Sequence, residues 1–195
     1  MRRDLLTSVL AVIVLTVLLG LAYPLVVTGI SQVAFHGRAN GEKITQDGKL
    51  VGSKLIGQDF KGNKRYFQER PSTATSYNAA ASAFTNLGPN SKKARDTFAA
   101  SLASYLKLER PFDPGLTARD VPVDAVTSSA SGVDPQISQA NAAIQARRIA
   151  AVRRLPLASV QQLVRKYTDG RFLGVLGEPG VNVLELNLAL DRMGK

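Results

Sequence analysis

Cysteine is absent from all 195 residues, which excludes a disulfide scaffold, thiolate metal sites and a cysteine nucleophile. A folded part of this size buries enough chain to need no covalent staples, so the absence does not argue against an oxidising compartment. Histidine is nearly absent as well. The single one, His36, stands where a long apolar run ends and reads as an interfacial residue rather than a base, because a catalytic group needs a folded constellation around it. A Ser-His-Asp arrangement therefore has no credible member. Acids are outnumbered, 15 against 25 Lys plus Arg, and they are scattered. Asp120 and Asp124, the closest pair of note, straddle an expected loop–strand boundary and give no predictable carboxylate pair. A G-x-x-x-x-G-K-[ST] phosphate loop is missing; Gly174, Gly177 and Gly180 form a spaced series with no lysine behind it. Nothing here reads as an enzyme on its own.

The shortage of acids leaves a formal net charge of +10, which bears on partners and solubility rather than on fold. Nucleic acid, the usual partner of a basic chain, is not expected, because the N-terminus carries a membrane segment. From Leu5 to Val27 there is no charge, and fifteen positions are Leu, Val or Ile. At about 1.5 Å per residue the run covers roughly 35 Å, enough for a hydrocarbon core of about 30 Å. Each such residue favours insertion by roughly 0.3–0.6 kcal/mol, about 5–9 kcal/mol together. Pro24 is expected to kink the helix near its end, a cost that neighbouring helices relieve. Arg2 and Arg3 precede the run and the next basic residue is Arg38, so the N-terminus is expected in the cytoplasm and the bulk outside. The run is longer than a signal-peptide core and Ala22-Tyr23-Pro24 is a poor cleavage site, so the anchor is expected to stay uncleaved. Ser8, Thr16 and Gly20 fall at multiples of four and form a small-residue row that admits a second helix, or are ordinary membrane-helix composition.

The organisation expected is a cytoplasmic stub (1–4), a transmembrane helix with apolar extension (5–35), a connector (36–48) and one extracytoplasmic α+β domain (49–195). Lys49–Phe60 reads as one or two short strands, and Tyr66–Pro71 as a strand or a tight loop. Pro71–Pro89 is rich in Ser, Thr, Asn and Ala with almost no charge. Such a segment packs by side-chain bonds to backbone, or lies under a partner, or is a small-residue loop with a short helix. Ser91–Glu109 is a helix capped by Ser91, with Ala94, Phe98, Leu102, Tyr105 and Leu106 on one face. Val121–Val126 alternates as a strand. Ser138–Leu155 is a helix with an apolar face through Ala140, Ile144 and Ala151. Its Arg147, Arg148, Arg153 and Arg154 form a docking site for carboxylates or lipid head groups, or a solvated face. Ser159–Tyr167 is a helix with a Ser159/Gln162 capping box and apolar residues at 160, 163, 164 and 167. Val181–Leu190 alternates most clearly of all and is expected to be a half-buried strand.

Ordered short motifs then resemble a known family along nearly the whole chain. They are Tyr23-Pro24-Leu25; Gly52-Ser53 with Leu55-Ile56-Gly57-Gln58; Tyr66-Phe67; Arg70-Pro71-Ser72; Ser76-Tyr77-Asn78-Ala79; and Asn86-Leu87-Gly88-Pro89. Val121 to Thr127, Ser131 to Ser138, Gly177-Glu178-Pro179, Val181 to Leu184 and Leu186 to Asp191 complete the series. Each motif is weak and the ordered set is specific. The chain resembles the KdpC family, the small accessory subunits of bacterial Kdp potassium-transporting P-type ATPases. It departs from the pattern at Gln136, where the family often carries histidine.

The resemblance implies a complex with a channel-like potassium-translocating subunit and an ATP-hydrolysing P-type subunit, in the bacterial cytoplasmic membrane. It implies a role in assembly and stability, and a proposed one as a catalytic chaperone that raises the ATP affinity of the hydrolysing subunit. ATP is thus implied for the complex, and no cofactor for this chain. Without Arg2, Arg3 and Asp4 the outer part keeps a net charge of +9, so its field would not enrich potassium generally. Candidate partner contacts are Ser8, Thr16 and Gly20 in the anchor, Tyr77, Asn78 and Asn86 in the uncharged segment, and Arg147 and Arg148. The competing class is a free-standing anchored domain that binds anionic envelope polymers.

Overall fold

An uninterrupted apolar run satisfies its own backbone best as a helix, and the N-terminal run is helical from Arg2 to Ala34 in the computed structural model, which describes residues 1–72, 77–83 and 85–193 of the chain. The helix is α1 (Arg2–Leu15), a π-helical stretch (Thr16–Ala22) and α2 (Tyr23–Ala34). It is long and apolar enough to cross a membrane. The π-turns end one residue before Tyr23-Pro24, and the Tyr23 N–H donates to the Leu18 carbonyl, five residues back. Proline lacks an N–H and its ring clashes with the carbonyl four residues earlier; widening the preceding turns absorbs both defects. A four-residue helical turn, α3 (His36–Ala39), follows, with Arg38 paired to Glu42 at 3.4 Å.

The chain divides into two compact units, Met1–Lys43 and Ile44–Lys195. Where one gives way to the other in sequence, β1 (Lys43–Gln46) and β2 (Lys49–Ser53) form a two-stranded hairpin. Asp47 and Gly48 turn it with φ of +51° and +75°, the left-handed pair that matches strand twist. A bridge between Ser53 and Ile56 continues the strand chemistry expected over 49–60.

The second unit is α+β. Its helices are α4 (Lys92–Glu109), α5 (Gln139–Arg153), α6 (Leu157–Lys166) and α7 (Val183–Met193). Its antiparallel sheet has the order β3–β5–β4, from β3 (Gln136–Ile137), β4 (Thr168–Asp169) and β5 (Gly180–Asn182). Gln136 faces Asn182, Ile137 and Thr168 both face Val181, and Asp169 faces Gly180. The core is one cluster: Phe67, Ile137, Ala142, Ala146, Ile149, Val160, Val164, Val181, Leu186 and Leu190 lie at its centre. Leu163 and Tyr167 pack against it, as the spacing of α6 predicts.

Four expectations are corrected. The segment 181–190 is a strand only to Asn182; from Val183 it is α7. The alternation is real, but Val183, Leu186, Asn187 and Leu190 are also buried at i, i+3, i+4, i+7. Asn182 Oδ1 accepts the Glu185 N–H at 3.1 Å, which caps a helix and ends the strand. The segment 121–126 is no strand either: it contains a 3-10 turn, Val123–Ala125, that begins behind Pro122. The inward face of α5 is Ala142, Ala146 and Ile149, whereas Ala140 and Ala151 are exposed. Lastly, α6 begins at Leu157 behind Pro156 with no side-chain cap, so Ser159 lies inside it. Pro156 holds the cap position with φ −58° and ψ 134°, and its carbonyl accepts from the Ser159 and Val160 N–H groups, which starts the helix ahead of Ser159. Ser91 and Ser138 do cap α4 and α5, accepting from Ala94 and Asn141.

Candidate functional site

The segment 64–70 lies outside every named strand. Side chains of α5 and α7 take the place of a neighbouring strand. Asn187 clamps Phe67, accepting its N–H at 2.8 Å and donating to its carbonyl at 3.0 Å. Gln145 does the same to Gln68, at 2.7 and 3.1 Å. Arg148 donates to the carbonyls of Lys64 (2.6 Å) and Tyr66 (2.9 Å), to Gln145 Oε1 (2.9 Å) and to Glu109 Oε1 (2.9 Å). Gln145 also donates to Asn141, which accepts from Tyr105 and donates to Asp124. Asp124 in turn holds the Ser138 cap. Buried polar groups are tolerable only when paired, and this network pairs most of them.

Two carboxyls strain that rule. Arg148 and Glu109 are 0% and 1% exposed. Even beside the arginine, burial pushes the Glu109 carboxyl above its ordinary value, and its second oxygen has no partner. Glu69 is buried with neither oxygen hydrogen-bonded. Burial holds its carboxyl well above the usual range; the nearby Gln58 backbone opposes that shift and the Asp134 charge reinforces it.

The clamp delivers Arg70 to the 127–134 loop. Its guanidinium meets Asp134 at 3.0 Å and the carbonyls of Ser128 (3.2 Å) and Thr127 (3.5 Å). Tyr77, at φ +59°, donates its hydroxyl back to the Arg70 carbonyl. Ser82 Oγ and the Ala83 N–H both donate to the Ser131 carbonyl at 3.1 Å. The uncharged segment is thus tied to that loop at residues 82 and 83. Residues 78–83 and 85–90 are exposed; residues 73–76 and 84 of the same segment lie outside the described residues. Helix α4 stands beside it, with grooves of about 430 Å³ against residues 87–89 and about 770 Å³ against Gln68, Glu69 and Pro71.

The candidate contacts fall in three places. Ser8 back-bonds to the Asp4 carbonyl at 2.8 Å. Thr16 and Gly20 share a face of the π-turns, since a Cβ on Gly20 would lie 3.8 Å from Thr16 Cγ2. Asn78 and Asn86 are exposed with Tyr77 half-buried between the segment and the body. Arg147 is 54% exposed and 3.4 Å from Asp113. Arg148 points the other way, into the core, out of reach of another chain; Arg153 is committed to Asp191 at 2.8 Å. The four arginines are therefore not one surface. Gln136, the departure noted above, donates to Asp169 at 2.7 Å and packs on Gly180, where any Cβ would sit 2.6 Å from its Oε1. Sequence reasoning missed the clamp itself. Its signal was present, because Asn141, Gln145 and Arg148 follow helical spacing beside the Ala142, Ala146 and Ile149 stripe.

The fold and site define a class: a membrane-anchorable α+β chain whose buried polar network shapes a surface. The family described as KdpC, K+-transporting ATPase, c chain, matches residues 5–192. Chains called "Potassium-transporting ATPase KdpC subunit" are similar throughout. The one from Koribacter versatilis is 46% identical over 98% of this chain and 95% of its own. Those from Mycobacterium tuberculosis H37Rv (47%, covering 99% and 100%) and Methylococcus capsulatus (49%, covering 95% and 96%) are alike in this respect. The chain belongs to the KdpC family.

Proposed function

We propose that this chain is a non-catalytic accessory subunit of an ATP-driven, high-affinity potassium uptake complex. It stabilises the assembly of a channel-like translocating subunit with a P-type ATP-hydrolysing subunit. The observation that carries this reading is near-full-length identity to chains named as subunits of a potassium-transporting ATPase. The exposed, uncharged surface at 78–83 and 85–90 supports it, since a surface free of charge is cheaply desolvated by a partner. On this reading the anchor crosses the bacterial cytoplasmic membrane once, with Arg2 and Arg3 inside and the folded unit outside. A folded unit outside does not reach cytoplasmic ATP. Any gain in the ATP affinity of the hydrolysing subunit is then transmitted through helix packing along Ser8, Thr16 and Gly20.

Contacts of the folded unit run through Tyr77, Asn78, Asn86 and Arg147. Full-length tagged chain, extracted from its native membrane, is expected to bring two larger membrane proteins in stoichiometric amount. Arg147→Glu is expected to lower their recovery by roughly two- to tenfold, as charge changes at an interface rim do. A chain that purifies alone overturns the reading in favour of an anchored, polymer-binding domain.

A further inference from the structure

Between β4 and β5 the chain folds back into a small hairpin that presents only apolar side chains at its tip. Phe172, Leu173, Val175 and Leu176 are 69, 78, 73 and 58% exposed. Four such neighbours on one loop are unlike the scattered exposed apolar residues of an ordinary surface. The turn is tightly closed. Phe172 and Leu176 exchange N–H···O bonds at 2.8 and 3.0 Å, and the N–H groups of Gly174 and Val175 donate to the carbonyls of Arg171 and Phe172. Gly174 and Gly177 hold φ of +78° and +84°, and Leu173 itself is at +51°, a conformation side chains of its kind rarely adopt. This accounts for the spaced glycines that no phosphate chemistry explained.

Below the tip, Arg171 Nη2 donates to both oxygens of Glu178 at 3.0 Å, and Glu178 is 82% exposed. Gln136 secures the root through Asp169 and Gly180. We propose that the tip from Phe172 to Leu176 is a docking knob that enters an apolar socket on another subunit of the complex. The inference rests on the chain being such a subunit. Three features select a protein socket. The N–H groups of Phe172, Gly174, Val175 and Leu176 are paired within the turn, so desolvating the tip strands none of those four donors. The root is fixed, so little order is lost on docking. The collar is an ion pair of both signs, which suits the polar rim around an apolar interface centre; its charges cancel, so it gives the tip no net pull toward an anionic bilayer.

The absence of cysteine makes the test direct. Leu173→Cys and, in parallel, Val175→Cys give a chain with one thiol, followed with a water-soluble maleimide on this chain's own band. The full chain is compared alone in lipid nanodiscs and within the purified complex in the same lipid. Labelling is expected to be fast in the chain alone and about tenfold or more slower in the complex, as burial at an interface centre demands. Equal rates in the two preparations overturn the knob while leaving the subunit reading standing. Slow labelling already in the chain alone also overturns it, in favour of lipid insertion or pairing with a second copy. A wild-type chain that brings no larger subunit removes the subunit reading itself, and the knob with it.

Discussion

Glu69 and Arg148 show how differently two buried charges behave. Arg148 has four acceptors around it and holds a segment that has no sheet to join. Removing one partner of such a pair is far more damaging than never having had it, so charge reversal at Arg148 reports on folding and not on assembly. Glu69 has no such company. A carboxyl whose folded-state pKa is raised binds its proton more tightly folded than unfolded. The stability this contributes is complete below the ordinary carboxyl range and is lost as pH rises through the raised value. The Glu69→Gln variant cannot ionise there. It is expected to melt like wild type near pH 4 and to be more stable by about 1–3 kcal/mol near pH 8, the cost of an unpaired buried group. Thermal unfolding of the full-length chain in detergent at the two pH values checks this; a wild type that gains on the variant as pH rises would refute it.

Among the elements, the β5–α7 junction depends on one side chain. Asn182 caps α7 through Glu185 and ties the chain just beyond β2 to the sheet by donating to the Lys54 carbonyl at 2.9 Å. Asn182→Ala loses both bonds and is expected to cost about 1–2 kcal/mol, a typical cap loss. Asn182→Ser keeps a cap acceptor and loses only the Lys54 bond, so urea unfolding should place it between the alanine variant and wild type. The same junction shows why the segment 181–190 misled as a sequence. Its apolar residues fit periods of 2 and 3.6 equally, and only a cap with its partner in place decides between them. Helix α4, by contrast, was legible from its Ser91 cap to Glu109 because cap, length and stop agreed, although Phe98 on its expected inward face is exposed.

For the whole molecule, the proposed placement turns on Arg2 and Arg3. With a carboxy-terminal tag, protease added to right-side-out spheroplasts should destroy the folded unit, and inverted vesicles should protect it. Protection in spheroplasts with loss in inverted vesicles would reverse the topology and reopen direct contact with nucleotide. Several of the basic groups behind the net charge of +9 beyond the anchor are paired locally: Arg147 faces Asp113, Arg153 meets Asp191 and Arg171 pairs with Glu178. A summed charge therefore says little about where a partner binds.

By itself the sequence determined what depends on neighbours along the chain. That covers the apolar helix, the Ser91 cap, the α+β class and, through ordered motifs, the family. Tertiary structure alone decided which way Arg147 and Arg148 point, what Gln145 and Asn187 hold, and that the glycine series carries an apolar tip. The first two outcomes depend on partners 34 to 120 residues away, and a side chain chooses between water and a distant carbonyl only once packing has brought the carbonyl within reach.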